Sequence, residues 1–537
     1  MRPKGRDELD SLYFTYPKFH APTARDRLDA RTPVAIVGAG PVGMVAALTL
    51  AQYGVRSVLL DRKDTFNDGS RAICIARQSY YILEQIGAVQ AFLDKSLGWT
   101  TGRSFYRGQQ VLEFQMPDSA DEKYRPMYNL EQQYIEQYLY DAVATNDLID
   151  LRWTSELTDL TDVADGVELR ITDANGSYVL PADWVLAADG AHSPIRSLRG
   201  LRLKGQNYEG RYVIADVQMD HDYPTIRRAL FDPACRPGGT VLIHRQPDDI
   251  WRIDYQLHPG ESAEEATREE NVRASVASVL EEIGHRGAWD LEWWSVYSAN
   301  TLALDNYRDG RVFFIGDSAH IVPIFGVRGL NNGMADGQNI GWKLAWVLNG
   351  LADEGLLDSY SPERRGATLD VFADAGKSTR FMTPPTAGWQ VMRDAALSLA
   401  LTRPRMGQLA NPRQMAPYTY ADSPITLPDA DTFMAGPAPG AVALDAAQGD
   451  GFLSDGFGAG FAALAFGPAG AEAVKGIKAT VVTLTATGAV AAKYGAVDGT
   501  VYLIRPDMHI AGRWLQARPN QIGAALDTLL TVKGGAE

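Results

Sequence analysis

Val34-Ala35-Ile36-Val37-Gly38-Ala39-Gly40-Pro41-Val42-Gly43 decides how this chain reads. Four apolar residues make a short strand, three glycines follow at G-x-G-x-x-G spacing, and Val42 to Tyr53 continues with the apolar spacing of a helix. Gly38 permits the turn and Gly40 lets the backbone approach a pyrophosphate. Gly43 lets helix and strand pack closely, with the helix N-terminus facing the anion. A second strand, Ser57 to Leu60, ends in Asp61, 23 residues after Gly38, where an acid accepts hydrogen bonds from a ribose diol. Strand, turn, helix and acid in register predict a Rossmann-like nucleotide site, with Arg62 beside Asp61 as a further cofactor-binding candidate.

The rest of the chain bounds what that site belongs to. At 537 residues the length favours about three domains. A net charge of -15, spread along the chain without a basic tract, argues against nucleic acid or an anionic membrane as partner. Met1 to Thr32 is polar and carries neither a signal core nor a spanning segment, so it reads as an ordered arm or a flexible tail. Cys74 and Cys235 are the only cysteines, which removes a disulfide framework and any Cys-x-x-Cys motif and points to a reducing cytoplasm. Scattered histidines give no support to a metal centre.

Along the chain, residues 33 to about 100 alternate strand and helix in α/β fashion, and 103–125 are less regular. Tyr134 to Thr145 reads as a helix, and Asp183 to Ala188 as a buried strand ending on Asp189-Gly190. Residues 206–258 turn β-rich. There Thr240 to Arg245 and Trp251 to Leu257 form a predicted hairpin with Arg252, Asp254 and Gln256 on one face. Ser262 to Ile283 reads as one amphipathic helix. Arg311-Val312-Phe313-Phe314-Ile315 is a strand feeding Gly316-Asp317-Ser318-Ala319-His320. After Pro323-Ile324-Phe325-Gly326-Val327-Arg328-Gly329-Leu330-Asn331, a helix runs through Leu348 with its first-turn amides free for an electron-rich ring. Thr480 to Leu484, Thr500 to Ile504 and a helix at Asn520 to Leu530 make a small α/β unit at the C-terminus.

Three motifs therefore stand in order: Gly38 to Gly43, Ala188-Asp189-Gly190-Ala191-His192-Ser193-Pro194-Ile195-Arg196, and Gly316 to His320 followed by Pro323 and Gly329-Leu330-Asn331. Together they resemble the single-component FAD-dependent aromatic hydroxylases over residues 33 to about 375. The tail with Tyr502-Leu503-Ile504-Arg505-Pro506-Asp507 looks like the thioredoxin-like domain of the phenol hydroxylase and 3-(3-hydroxyphenyl)propionate hydroxylase branch, here without Cys-x-x-Cys. The resemblance implies an α/β chain with a Rossmann-like FAD-binding domain and an interleaved β-sheet substrate domain like that of p-hydroxybenzoate hydroxylase. The expected boundaries are an arm at 1–32, a discontinuous FAD-binding domain at 33–205 and 296–375, and a substrate domain at 206–295 with part of 100–125. A helical or linker segment at 376–440 and a thioredoxin-like domain at 441–537 follow.

It further implies that Asp317 binds the flavin ribityl chain and that the Gly329, Leu330 and Asn331 backbone meets the flavin pyrimidine. Gly316 is a cofactor-binding candidate with Asp317, and Asp189 belongs to a motif shared between FAD and the nicotinamide. Gln132, with Gln133 as the competing register, and Arg71 lie near the flavin, and Pro323 walls the substrate. The implied reaction consumes NADH or NADPH and O2, and hydroxylates a small, electron-rich, anionic phenol through a flavin C4a-hydroperoxide. A homodimer is expected, with no nucleic acid or membrane partner and no metal. The family's aspartate after the Arg-Ala step is replaced here by Ile73, so that acid-base role does not transfer; His244, Arg245, Arg252 and Asp254 are the candidates instead, with His244 expected to titrate near neutral pH and a solvated β-face as the bland alternative. An epoxidase or polyketide-tailoring oxygenase, and a flavin redox sensor without turnover, are the alternative readings.

Overall fold

In the computed structural model, which describes residues 1–23, 30–323, 326–411 and 416–531, β1 (Thr32–Val37) runs into α1 (Pro41–Gln52) and returns as β2 (Ser57–Leu60). α1 opens on Pro41, whose missing N–H is no loss in a first helical turn. It is buried on almost every side, as an apolar helix at the centre of a domain must be. The chain leaves in a hairpin, β3 (Thr101–Tyr106) and β4 (Gln109–Gln115), then comes back through α2 (Gln132–Ala144) and β5 (Ile149–Arg152) to β6 (Gly176–Ala187). A second excursion forms β7 (Lys204–Gln218), β8 (Arg227–Phe231), β9 (Thr240–Arg245), β10 (Ile250–Gln256) and β11 (Asp290–Ala303). β12 (Val312–Phe314), α3 (Gly329–Leu348) and α4 (Tyr360–Met382) return to the first unit.

The first sheet has a parallel core, β12-β6-β1-β2-β5, with antiparallel strands at its margins; this is the doubly wound arrangement whose ligands sit beyond the carboxyl ends of the strands. α3 lies on α1 through small residues. A Cβ at Gly337 would come within 2.9 Å of the Val42 carbonyl, and one at Gly341 within 2.8 Å of Thr49, so the contact exists only because those side chains are missing.

The second sheet runs β11-β7-β10-β9-β8-β3-β4. One face, with Val213, Val241, Ile253 and Tyr255, packs on the helix Glu269–Glu282; the other looks toward the first unit. Several readings change here. Residues 103–115 are regular, because β3 pairs in parallel with β8 and β4 closes the edge. The single helix expected over Ser262 to Ile283 is two, Ala263–Ala266 and Glu269–Glu282, since the Thr267 carbonyl is taken by the Trp294 indole N–H at 2.8 Å and Arg268 is extended. The junctions expected at 205/206 and 295/296 fall inside β7 and β11, long strands that carry the backbone from one unit to the other, and the one at 375/376 falls inside α4. The helix Ala387–Ala400 packs Leu397 and Ala400 against Phe231 and Leu242, so the segment from 376 covers the second sheet.

The N-terminal arm is packed over residues 1–23. Arg2 is buried between Glu292 of β11 and Asp68, at 2.6 and 2.8 Å. Residues 24–29 of the arm, Ile324 and Phe325 of the run after Pro323, 412–415 and 532–537 lie outside the described residues.

At the C-terminus β13 (Ala462–Phe466), β14 (Thr480–Leu484), β15 (Val501–Ile504) and β16 (Ile510–Trp514) order as β14-β13-β15-β16, with β15 antiparallel to its neighbours. The turn after β15 is locked to α3 and α4. Arg505 meets both oxygens of Glu363 at 2.6 and 2.9 Å and Asp507 at 2.6 Å, while Lys343 reaches Glu363 at 2.6 Å and the Trp342 indole reaches Asp507 at 3.2 Å. These ionic groups are removed from solvent.

Candidate active site

The motifs meet because their strands are neighbours in register. Val37 of β1 pairs with Leu60 of β2 on one side and Ala187 of β6 on the other, and Ala187 pairs with Phe314 of β12. Asp61, Gly38, Ala188 and Ile315 therefore leave the sheet side by side, with Gly38 N–H donating to Leu60 at 2.7 Å and Ala188 N–H to Val37 at 2.8 Å. Arg196 ties the second motif to the third, donating to the Ala191 carbonyl at 2.6 Å and the Ser318 carbonyl at 3.0 Å.

Gly38 has a φ of +110°, and a Cβ there would sit 2.2 Å from the Ala188 carbonyl oxygen, so no other residue fits the turn. Gly40 differs: a Cβ on it would meet nothing within 4 Å, because it faces open space above the start of α1. The Asp61 carboxylate accepts from Ala39 N–H at 2.8 Å and Lys63 N–H at 2.9 Å, keeping lone pairs for a further donor, and Arg62 beside it is exposed. Asp189 accepts from Ile195 N–H through Oδ2 at 3.0 Å, capping the turn after β6, but among the described residues its buried Oδ1 has no hydrogen-bond partner, and burial pushes its pKa up. Asp317 is accessible yet closely surrounded by protein, as a group lining a deep cleft is; that enclosure raises its pKa, against the pull of His320 and Arg71.

The wall opposite is the loop Ser70–Ala72. Gln132 Oε1 accepts from the backbone N–H groups of Arg71 and Ala72, both at 3.3 Å, whereas Gln133 points away to the Tyr16 hydroxyl. Of the two adjacent glutamines, Gln132 faces the loop. Arg71 is exposed, with Asp317 and Tyr297 as its electrostatic neighbours. Below them α3 begins with no side-chain cap on its first turn, so the amides of Gly329 and Leu330 stay available. Asn331 uses its side chain to hold the frame, accepting from Ala76 N–H at 2.8 Å and Ser79 Oγ at 2.7 Å and donating to the Val327 carbonyl at 2.8 Å. Gly316 N–H donates to Asp336, which also holds His320 at 2.7 Å and Arg364 at 2.6 Å. An orphaned carboxylate oxygen, an uncapped helix start and a glycine facing empty space all fit a bound dinucleotide.

The second sheet supplies the other side. His244 pairs with Arg252, and Arg252 with Asp216, so these three lie in one row on the face toward the loop. The solvated alternative is excluded, since His244, Arg252, Asp254 and Gln256 are all buried. Arg252 is committed: it grips Asp216 at 2.5 and 2.9 Å and also donates to the Ser70 carbonyl. His244 does not titrate near neutrality. Burial, with Arg227 and Arg252 beside it, drives its pKa well below the ordinary value and keeps the ring neutral. Arg245 alternates to the other face, over the Trp251 ring at 5.6 Å. Asp254 lies with Oδ1 4.0 Å from Arg252 Nε but accepts no hydrogen bond there from the described residues, and its pKa is raised to about 7 by burial and Asp216, against Arg252 and Arg227. Pro323 is buried next to Val322, whose carbonyl accepts from the Tyr297 hydroxyl at 2.9 Å. Ile73 joins an apolar cluster with Cys74, Trp99 and Met127.

Asp216, Arg227 and Tyr297 were missed from sequence. Asp216 alone carried a signal, as the one charge inside the apolar run Tyr212 to Met219. Among the described residues no group of three or more His, Cys, Asp or Glu side chains could hold a metal ion, and no helix is long and apolar enough to cross a membrane.

A sequence profile for the family described as FAD binding domain matches residues 31–374. The chain is 26% identical to the "3-(3-hydroxy-phenyl)propionate/3-hydroxycinnamic acid hydroxylase" of Mycolicibacterium smegmatis, over 94% of each chain. It is 29% identical to the protein of the same name from Klebsiella pneumoniae, over 67% of this chain and 64% of that one. Its fold matches the flavin-dependent monooxygenase PieE in complex with FAD and substrate with a TM-score of 0.77 at 23% identity, covering 94% of this chain and 99% of the other. Aklavinone-11 hydroxylase with FAD and aklavinone matches at 0.74 and 22%, covering 94% and 100%.

Proposed function

We propose, from the premise that the chain belongs to the FAD binding domain family, that it is an FAD-dependent monooxygenase that uses NAD(P)H and O2 to hydroxylate an electron-rich phenolic substrate. The observation that carries this reading is the convergence of Gly38 to Gly43, Asp61, Asp189 and Asp317 beyond the carboxyl ends of adjacent parallel strands, facing a second sheet with a buried acid. When bound, FAD supplies electron transfer from the nicotinamide and activation of oxygen for insertion into the ring. The residues of this chain do the rest. The turn at Gly38 to Gly43 and the α1 N-terminus hold the pyrophosphate, Asp61 the ribose, Asp317 the ribityl chain, and the amides opening α3 the electron-rich end of the ring system. Pro323, Ile73, Cys74 and Trp99 keep water from the reacting centre. The curated relatives are named for hydroxylating a hydroxyphenyl acid, which agrees with a phenolic substrate here. The C-terminal unit we read as thioredoxin-like from its strand order; with both cysteines elsewhere in the chain, it serves as a clamp on α3.

The direct test follows NADH and NADPH oxidation by the FAD-loaded protein with and without substituted phenols while assaying hydrogen peroxide. Strong stimulation with little peroxide is expected; no stimulation by any phenol would overturn the reading.

Asp254 is the group placed to take the phenolic proton. The charged and titratable groups facing it are Arg252, Asp216 and Arg227, with Tyr212, His244 and Cys74 nearby. With a folded pKa of about 7, kcat/KM should climb with pH to a plateau above that value, and Asp254→Asn should lower the plateau by about 100-fold or more and remove the limb. Stability has the opposite slope. A carboxyl raised in the folded state stabilises fully below its unfolded pKa and loses that contribution as pH rises through about 7, so Asp254→Asn should flatten the fall in denaturation midpoint between pH 4 and 7.

A further inference from the structure

The loop 67–72 carries Arg71 to the edge of the cofactor cleft without helix or strand of its own, and side chains from four places fix it. α2 is the first. Asn67 gives its backbone N–H and its side-chain amide to Glu136 at 2.8 and 2.6 Å, Gln132 N–H donates to Ser70 Oγ at 2.8 Å, and Gln132 Oε1 takes the N–H groups of Arg71 and Ala72. β10 holds the Ser70 carbonyl through Arg252. β11 lays the Trp293 indole against Gly69 so closely that a Cβ there would lie 1.9 Å from the ring. The fourth holder is the N-terminal arm.

Tyr16 is where the arm touches the loop. Its phenol oxygen accepts from Gly69 N–H at 3.2 Å, Gln133 Nε2 at 3.0 Å and Arg2 Nη2 at 3.2 Å, and donates to Asp68 Oδ1 at 3.4 Å. Arg2 grips the same Asp68 oxygen at 2.8 Å and reaches Glu292 of β11 at 2.6 Å. Glu292 in turn accepts from Ser11 Oγ at 2.6 Å and Leu12 N–H at 2.9 Å. The arm is thus tied to the second sheet at one end and to a loop of the first unit at the other. Phe14 and Phe19 give it an apolar footing in the main core, so covering that surface does not require the polar contacts of Arg2 and Tyr16. Those contacts go to the loop. Arg71 itself is exposed, with Asp317 and Tyr297 across the cleft as its electrostatic neighbours, and a long side chain is placed only as well as the backbone that carries it.

We propose that Tyr16 and Arg2 are positioning residues for the cofactor: strapped to β11 through Glu292, they set the loop 67–72 and with it the place of Arg71 against bound FAD. The inference rests on FAD occupying the cleft and not on any substrate. The test is titration of the flavin-stripped full chain with FAD, read by the change in flavin absorbance, for wild type, Tyr16→Phe, Arg71→Ala and the two combined. Tyr16→Phe keeps the ring packed edge-on against Phe14 at 5.0 Å and removes only the oxygen, so the variant should melt within about 3 °C of wild type. Its affinity for FAD should nevertheless fall ~10-fold. Arg71→Ala should lose at least as much, and the double variant should be no worse than Arg71→Ala alone, because the arm acts through what the loop carries. The absorbance spectrum of the bound flavin should shift in the same way in both single variants. Arg2→Lys should retain part of the affinity that Arg2→Met loses.

Unchanged FAD affinity in Tyr16→Phe overturns the proposal. So does a lowered melting temperature with unchanged affinity, which would make the arm a matter of packing alone. Losses that add in the double variant, or an Arg71→Ala protein that binds FAD as wild type does, would mean that the arm does not act through Arg71, and overturn it equally. Weakened FAD binding in Tyr16→Phe, with no phenol stimulating NAD(P)H oxidation by the wild type, would sink the hydroxylase reading and leave this one standing. Phenol-stimulated oxidation by the wild type, with unchanged FAD affinity in Tyr16→Phe, would do the reverse.

Discussion

Gly40→Val should give a folded protein that no longer retains FAD. The backbone at Gly40 is extended, with φ at -75°, so valine adopts it without strain, and its Cβ would meet no protein atom within 4 Å. The space it enters is the one between the glycine turn and the ends of β6 and β12, where the pyrophosphate must approach the α1 amides. Stability of the apoprotein should change by no more than about 0.5 kcal/mol, as for a substitution that touches nothing. Cofactor affinity should fall by ~100-fold or more, and NAD(P)H oxidation should vanish. Flavin absorbance after gel filtration, beside circular dichroism of the same fraction, measures both. Gly43→Val is the control for a glycine of the other kind: its Cβ would lie 1.9 Å from the Gly38 carbonyl oxygen, and that variant should fail to fold. Stoichiometric FAD in purified Gly40→Val would remove Gly40 from the site.

Arg505→Met should cost about 3–5 kcal/mol, the range for removing one partner from a buried ion cluster. Arg505 is the cation shared by Glu363 and Asp507; without it the two buried carboxylates are left with Lys343, His509 and the weaker donors Asn339, Trp342 and Ser423. The damage should spread to the cofactor, because α3 carries Asn339, Trp342 and Lys343 on the same helix whose first turn faces the cleft. Denaturant unfolding should show a lowered midpoint, and the variant should release FAD at lower denaturant than wild type. Acid provides a second check. Burial alone would raise the Glu363 pKa, yet Arg505 and Lys343 hold it at about 2, so the stability it contributes is full above pH 4.5 and is lost as pH falls toward 2. Arg505→Met should lose that acid-limb dependence. An unchanged midpoint would mean that the C-terminal unit is not clamped through this cluster.

The two predictions differ in how far they could be read without a fold. Gly40 belongs to a motif whose spacing carries its own meaning, since a turn that admits a phosphate is a local property of a few consecutive residues. The same holds for the strand before Gly38, the helix after it and the acid at Asp61, and their joint recurrence with Gly316-Asp317 named the cofactor. Arg505 and Glu363 are 142 residues apart, and neither has a local pattern that marks it. Asp254 was legible as sharing one strand face with Arg252 and Gln256 because side chains alternate with period two, and His244 as a candidate on the other strand of the same hairpin. Their ionisation was not, because it depends on depth and on Arg227 and Asp216, which arrive from two other strands. Hence His244, expected to titrate near neutrality, is held neutral, and Asp254 is the group poised near pH 7.

By itself the sequence determined the parts governed by adjacent residues: the glycine turn, the parallel α/β unit, the place of the second sheet and the order of the flavin motifs. Tertiary structure alone decided which long-range partners each polar group received. It committed Arg252 to Asp216, left Arg227 without a hydrogen bond among the described residues, turned Gln132 rather than Gln133 to the Arg71 loop, and joined the C-terminal unit to α3 through Arg505. The reason is physical: backbone conformation follows from local sterics and hydrogen bonding, whereas the charge state and availability of a buried side chain follow from what is brought within a few ångströms of it, from anywhere in the chain.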